Sequence, residues 1–112
     1  MSSVLPAAEA VALQSLIAVP EHGITSRVLT RAGGGTVTLF AFAAKEELSE
    51  HTAPFDALVH VLDGAMTITV GGQPVEAGAG MLVRMPAHVP HALLAAQPSR
   101  LLLIMLRDSK QA

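Results

Sequence analysis

The chain of 112 residues contains no cysteine, no tryptophan and no tyrosine, and its only aromatic residues apart from histidine are three Phe. Without cysteine there are no disulfides, thiolate metal sites or cysteine nucleophiles. That composition fits a reducing compartment. Charge is scarce as well: Asp, Glu, Lys and Arg make up 14% of the residues, and the formal net charge is −2. The seven basic residues are scattered rather than gathered into a stripe. Nucleic-acid binding therefore lacks both its electrostatic footprint and its stacking platforms, and no nucleic-acid partner is expected. No Lys or Arg precedes Arg27, and Glu9 interrupts the first apolar run, so a signal peptide is not expected. Nothing approaches the roughly 20 apolar residues of a membrane-spanning helix. No membrane partner is expected, and the default location is the cytoplasm.

What the chain does have is hydrophobicity: 51% of its residues are apolar. Apolar surface that one small domain cannot cover usually ends in a subunit interface, so a homodimer is expected. The length suits one domain, with residues 23–107 as a β-barrel, 1–22 as an N-terminal segment contributing to the dimer, and 108–112 as a frayed C-terminus. Residues 1–5 are expected to fray too. Between Pro6 and Leu16, Ala7, Ala8, Ala10 and Ala12 favour a short helix. The alternative is a strand from Leu13 to Val19, and propensity does not decide between them.

From Gly23 onward the pattern is β. Gly23 and Gly33–Gly35 bracket one apolar–polar stretch, and Thr36 to Ala43 has strand composition, with Phe40 and Phe42 on one face and Val37, Leu39 and Ala41 on the other. Further runs are Asp56 to Leu62, Met66 to Val70, Pro74 to Ala77, Met81 to Met85, Val89 to Leu94 and Leu101 to Leu106. Gly71–Gly72 supplies a tight hairpin. About nine short strands separated by Gly/Pro turns describe an all-β sandwich or barrel.

Chemistry near neutral pH falls to the five His residues. His51 sits in LSEHTAPFDALVHVLDG and His91 in GMLVRMPAHVPHAL. These stretches resemble the two signature motifs of the cupin superfamily. In the first motif, His51 takes the place of the first His and Gly64 that of the closing Gly. In the second, Gly80, Pro86 and His91 stand where the family has Gly, Pro and His, and fifteen residues separate Gly64 from Gly80. The resemblance implies a jelly-roll barrel (a double-stranded β-helix) with His51 and His91 in one pocket.

It also implies a divalent metal, held in the family by three His and one Glu. Here Ala53 stands at the second His position and Ala57 at the Glu position. The opening Gly is Lys45, the Gly of the second motif is His88, and the closing Asn is Ala95. The two imidazoles that remain suit Zn, Ni, Cu, Fe or Mn, held weakly. Asp56 and His60 flank the missing Glu. Regular alternation puts Ala57, Val59 and Val61 inward and leaves His60 outward at a subunit interface. A β-bulge there would turn His60 inward as a third ligand. Met66, Met81, Met85 and Met105 read as core filler, with Met85 also lining the pocket.

The expected function is small-molecule binding in a barrel pocket lined by His51, Met85 and His91, with a weakly held divalent metal at His51, His91 and His60. The alternative is a metal-dependent enzyme of the dioxygenase, isomerase or decarboxylase type. A metal-free acid–base enzyme ranks last, because no carboxylate stands where it would orient either imidazole.

Overall fold

A computed structural model describes residues 5–107. Nine strands follow one another: β1 (Ile24–Ala32), β2 (Gly35–Phe42), β3 (Glu47–His51), β4 (Asp56–Asp63), β5 (Ala65–Val70), β6 (Gln73–Gly78), β7 (Leu82–Met85), β8 (His91–Ala95) and β9 (Ser99–Leu106). They form a five-stranded sheet in the order β1-β2-β9-β4-β7 and a four-stranded sheet in the order β3-β8-β5-β6. Every pairing is antiparallel. Two sheets packed face to face with crossing connections make the expected jelly-roll barrel.

Period-two burial builds the interior. Along β4, Ala57, Val59 and Val61 are buried while Asp56, Leu58 and His60 are only partly so. β5 buries Met66 and Ile68 between its Thr residues. One contiguous core joins these to Phe42, Ala77, Met85, Leu93, Ala95 and Leu101. The hairpin from β5 to β6 turns on Gly71 and Gly72, both with positive φ (58° and 82°), which suits a two-residue loop matched to the strand twist.

The short helix expected between Pro6 and Leu16 is reduced to one turn, and no strand forms from Leu13 to Val19. Only Leu13–Ser15 makes a single 3-10 turn, and its N-cap residue Ala12 offers no capping side chain. Fixed tertiary contacts hold the segment. Leu5 N–H donates to Leu29 O at 2.8 Å, Arg27 Nη1 donates to Leu16 O at 3.2 Å, and Arg100 Nε donates to Ile17 O at 3.0 Å. Leu5 is therefore bonded to β1 rather than frayed. The fraying expected at 1–4 and 108–112 lies outside the described residues. The outward residues Leu39 and Ala41 of β2 are fully buried, as a second layer on that part of the sheet requires. Met81 is a further correction: it sits just ahead of β7, 55% exposed, and is not core filler. Among the described residues no helix is long and apolar enough to cross a membrane.

Candidate functional site

At one end the barrel interior is hollow. The cavity of about 150 Å³ is lined by Phe40 and Phe42 of β2, Leu48 and His51 of β3, Ala53, Ala57 of β4, Met85 of β7, His91 and Leu93 of β8, and Leu101, Leu103 and Met105 of β9. Its hollowness follows from Ala53 and Ala57, whose methyl groups stand where the cupin resemblance places a His and a Glu. The pocket residues expected from sequence, His51, Met85 and His91, all meet here. Unforeseen were the floor residues Phe40, Leu101, Leu103 and Met105. Strand alternation held the signal for them, since residues 101, 103 and 105 share one face of β9.

A local irregularity aims His51. β3 pairs with β8 through Leu48↔Leu93 and then His51↔His91, so β3 carries one extra residue between these pairs. Without that bulge, Glu50 would oppose His91 and His51 would point outward. The bulge's own carbonyl then holds the ring: His51 Nδ1–H donates to Ser49 O at 2.8 Å. His91 is fixed the same way, Nδ1–H donating to Val89 O at 3.2 Å. A carbonyl only accepts, so in the neutral rings both protons sit on Nδ1 and both Nε2 atoms carry lone pairs. Those Nε2 atoms lie 3.1 Å apart, with the rings edge to face at 74°. His51 is exposed at the mouth, whereas His91 is only 5% exposed. Burial foremost, and the neighbouring His51 next, hold His91 below the usual histidine range; the Val89 carbonyl pulls the other way.

His60 does not join the pair. The ladder of β4 with β9 runs without a shift from Asp56 to Val61, and that with β7 from Ala57 to His60. No bulge reverses the alternation, and His60 lies on the face opposite Ala57. Its candidacy as a third metal ligand is thereby overturned. His22 is exposed beside the turn at Gly23. His88 is exposed in the 86–90 loop with φ of 65°, and its N–H donates to Ala53 O at 2.8 Å. Asp56 secures the same loop. Its carboxylate accepts from Ala87 N–H at 2.9 Å and from Arg84 Nη1 at 2.9 Å. The Ala87 hydrogen bond first, then Arg84, keep the carboxyl below its ordinary value.

The donor set decides what metal chemistry these residues fit. Two imidazole ligands at about 2.0–2.1 Å and roughly right angles stand about 2.9 Å apart, close to the spacing here. The match ends there, because among the described residues no three of His, Cys, Asp and Glu cluster as a metal site would require. The residues do not fit the three- or four-ligand centre that the fold family implies, and no reaction step is derived through one.

Known proteins agree with this architecture. A family model for the cupin domain matches residues 38–106. A conserved protein of unknown function from Streptococcus pyogenes is 27% identical, with 97% of each chain covered and a TM-score of 0.89. A cupin superfamily protein from Desulfitobacterium hafniense is 31% identical over 93% of this chain and 95% of its own, with a TM-score of 0.86. A cupin 2 conserved barrel domain protein from Leptotrichia buccalis is 34% identical over 83% of this chain but 45% of its own, with a TM-score of 0.78. No curated protein matches significantly. With the family model matching from within β2 to the end of β9 and the two sheets packed as described, the chain belongs to the cupin domain family.

Proposed function

We propose that this cupin binds a small molecule in the barrel cavity, with His51 and His91 as its polar anchors. The observation that carries the reading is the convergence of two Nε2 lone pairs, 3.1 Å apart, at the mouth of an apolar cavity. Concave, mostly apolar pockets with a few convergent polar groups are the usual form of small-molecule sites. Two imidazoles without a third ligand make at most a weak site for a divalent ion (Zn, Ni, Cu, Fe or Mn), and the binding proposed does not require one. His51 is exposed, so His51→Ala leaves the fold intact and serves as the test. A fragment library is screened by thermal shift against wild type and this variant. Stabilisation lost in His51→Ala supports the reading; hits indifferent to the substitution overturn it. Stoichiometric metal in tag-free protein, with turnover that His51→Ala abolishes, would instead favour the metal-dependent enzyme.

The small-molecule partner is joined by a second copy of the chain. Leu82 and Leu106, 59% and 46% exposed, share the outward face of the five-stranded sheet with Leu58, His60 and Leu102. A homodimer covering that face is the proposal. Light scattering at micromolar protein should give twice 11.6 kDa, and a monomer would remove it.

A further inference from the structure

Apart from the two imidazoles, every side chain lining the cavity is hydrocarbon or thioether. No hydroxyl, amide, carboxylate, ammonium or guanidinium reaches into it from the described residues. A polyhydroxylated ligand would bring several groups that lose water and find no partner, at about 1–3 kcal/mol each by general experience. An anion fares no better. With both Nδ1–H groups committed to Ser49 O and Val89 O, the two Nε2 atoms offer only lone pairs. Two acceptors 3.1 Å apart repel a carboxylate or phosphate and lack a proton between them. Of the guanidinium groups near this end of the barrel, Arg84 is paired with Asp56, while Arg31 and Arg107 line a separate hollow with Thr36 and Thr38, and Met105 is a wall that both hollows share. The cavity's volume of about 150 Å³ sets the size. An apolar cavity of roughly that volume admits benzene.

Resting on the pocket reading above, we infer that the ligand is a compact apolar molecule, about one six-membered ring in size, whose single O–H or N–H donates to the Nε2 pair. Phenols, enols and azoles have this chemistry; sugar acids and phosphate esters do not. The donor supplies the proton that the neutral imidazole pair lacks, and the ring fills the space above Ala53 and Ala57.

The test titrates the purified protein with phenol, anisole, benzoate and galacturonate, about one unit above the ordinary histidine pKa. Imidazole ring nitrogens are followed by long-range proton–nitrogen spectra. Phenol should move the Nε2 signals of both residues and bind about five- to tenfold tighter than anisole, the value of one hydrogen bond. Benzoate and galacturonate should bind at least about tenfold more weakly than phenol. Ala57→Leu fills the cavity and leaves the imidazoles in place, so phenol affinity should fall about tenfold or more. Equal binding of phenol and anisole overturns the donor role. Benzoate or galacturonate matching phenol, with the ring signals moving, overturns the ligand class while the pocket reading survives. No movement of ring signals with any of the four overturns the class as well, and the fragment screen on His51→Ala then judges the pocket separately.

Discussion

The two ends of the barrel interior are built from the same strands and differ in kind. At the closed end Val61, Met66 and Ile68 are fully buried, and Ser99 and Asp63 are both hydrogen-bonded. Ser99 Oγ accepts from Ala65 N–H at 3.0 Å and lies 2.7 Å from the Gln97 carbonyl, to which its hydroxyl donates. Asp63 accepts from Arg100 N–H at 3.1 Å and Nη1 at 2.9 Å. At the open end, Ala53 and Ala57 leave a cavity, and two imidazole Nε2 atoms face one another 3.1 Å apart. One end is finished as a core; the other is hollow and lined on one side by two imidazoles. On the proposed reading, stability and binding are divided along the barrel axis, and small substitutions at the two ends should separate them.

The largest separation comes from adding carbon. Gly64 has φ of 90°, and a Cβ there would run into the Ser99 side chain and the Pro98 carbonyl. Gly64→Ala should cost about 3–5 kcal/mol, combining backbone strain with overpacking against atoms that cannot yield. Ala57→Val at the open end adds more carbon but enters empty space, so its effect should stay within about 1 kcal/mol. Urea titrations of the two variants compare them directly, and similar losses would mean that the open end is no softer than the closed one. Removing carbon should give the same ranking more gently. Ile68→Ala opens a hole in a sealed core and should cost about 2–5 kcal/mol. Leu103→Ala only enlarges an existing cavity beside partly exposed neighbours and should cost about 1–2 kcal/mol.

The strand framework was readable from the sequence, and the site built on it only in part. Alternation at Met66 to Val70, the Gly71–Gly72 hairpin and the apolar run Leu101 to Leu106 are local patterns, and they became β5, the turn after it and β9. His60 obeyed the same rule and stayed outside. His51 breaks it. Counting by twos from the inward Leu48 puts Glu50 in the pocket, and only the extra residue in β3 turns His51 towards His91. Motif resemblance located the pair where periodicity could not. The Nδ1 contacts that fix both rings are made by the carbonyls of Ser49 and Val89, and backbone acceptors leave no trace in side-chain identity. The N-terminal segment was ambiguous for a related reason. Its partners, Arg27, Leu29 and Arg100, are distant in sequence, so alanine propensity pointed to a helix that tertiary contacts override.

The smallest effect expected is the response of the two ends to acid. His91 is held below its unfolded value of about 6.5, so the unfolded chain binds the proton first. The stability tied to the neutral ring is fully present above that unfolded value and declines as pH falls through it towards the folded one. Protonating His91 places charge in a buried site beside His51, although it also puts a proton between the two Nε2 atoms. A modest loss of melting temperature should therefore open on acidification from about pH 7. In His91→Gln, which keeps a polar side chain and no longer titrates, that slope should flatten. The closed end supplies the control. Ser99→Ala leaves the Ala65 N–H without its acceptor and should cost about 1–3 kcal/mol at every pH in this range, because no proton is exchanged there. A slope that persists in His91→Gln would place the acid sensitivity outside the imidazole pair and break the division between the two ends.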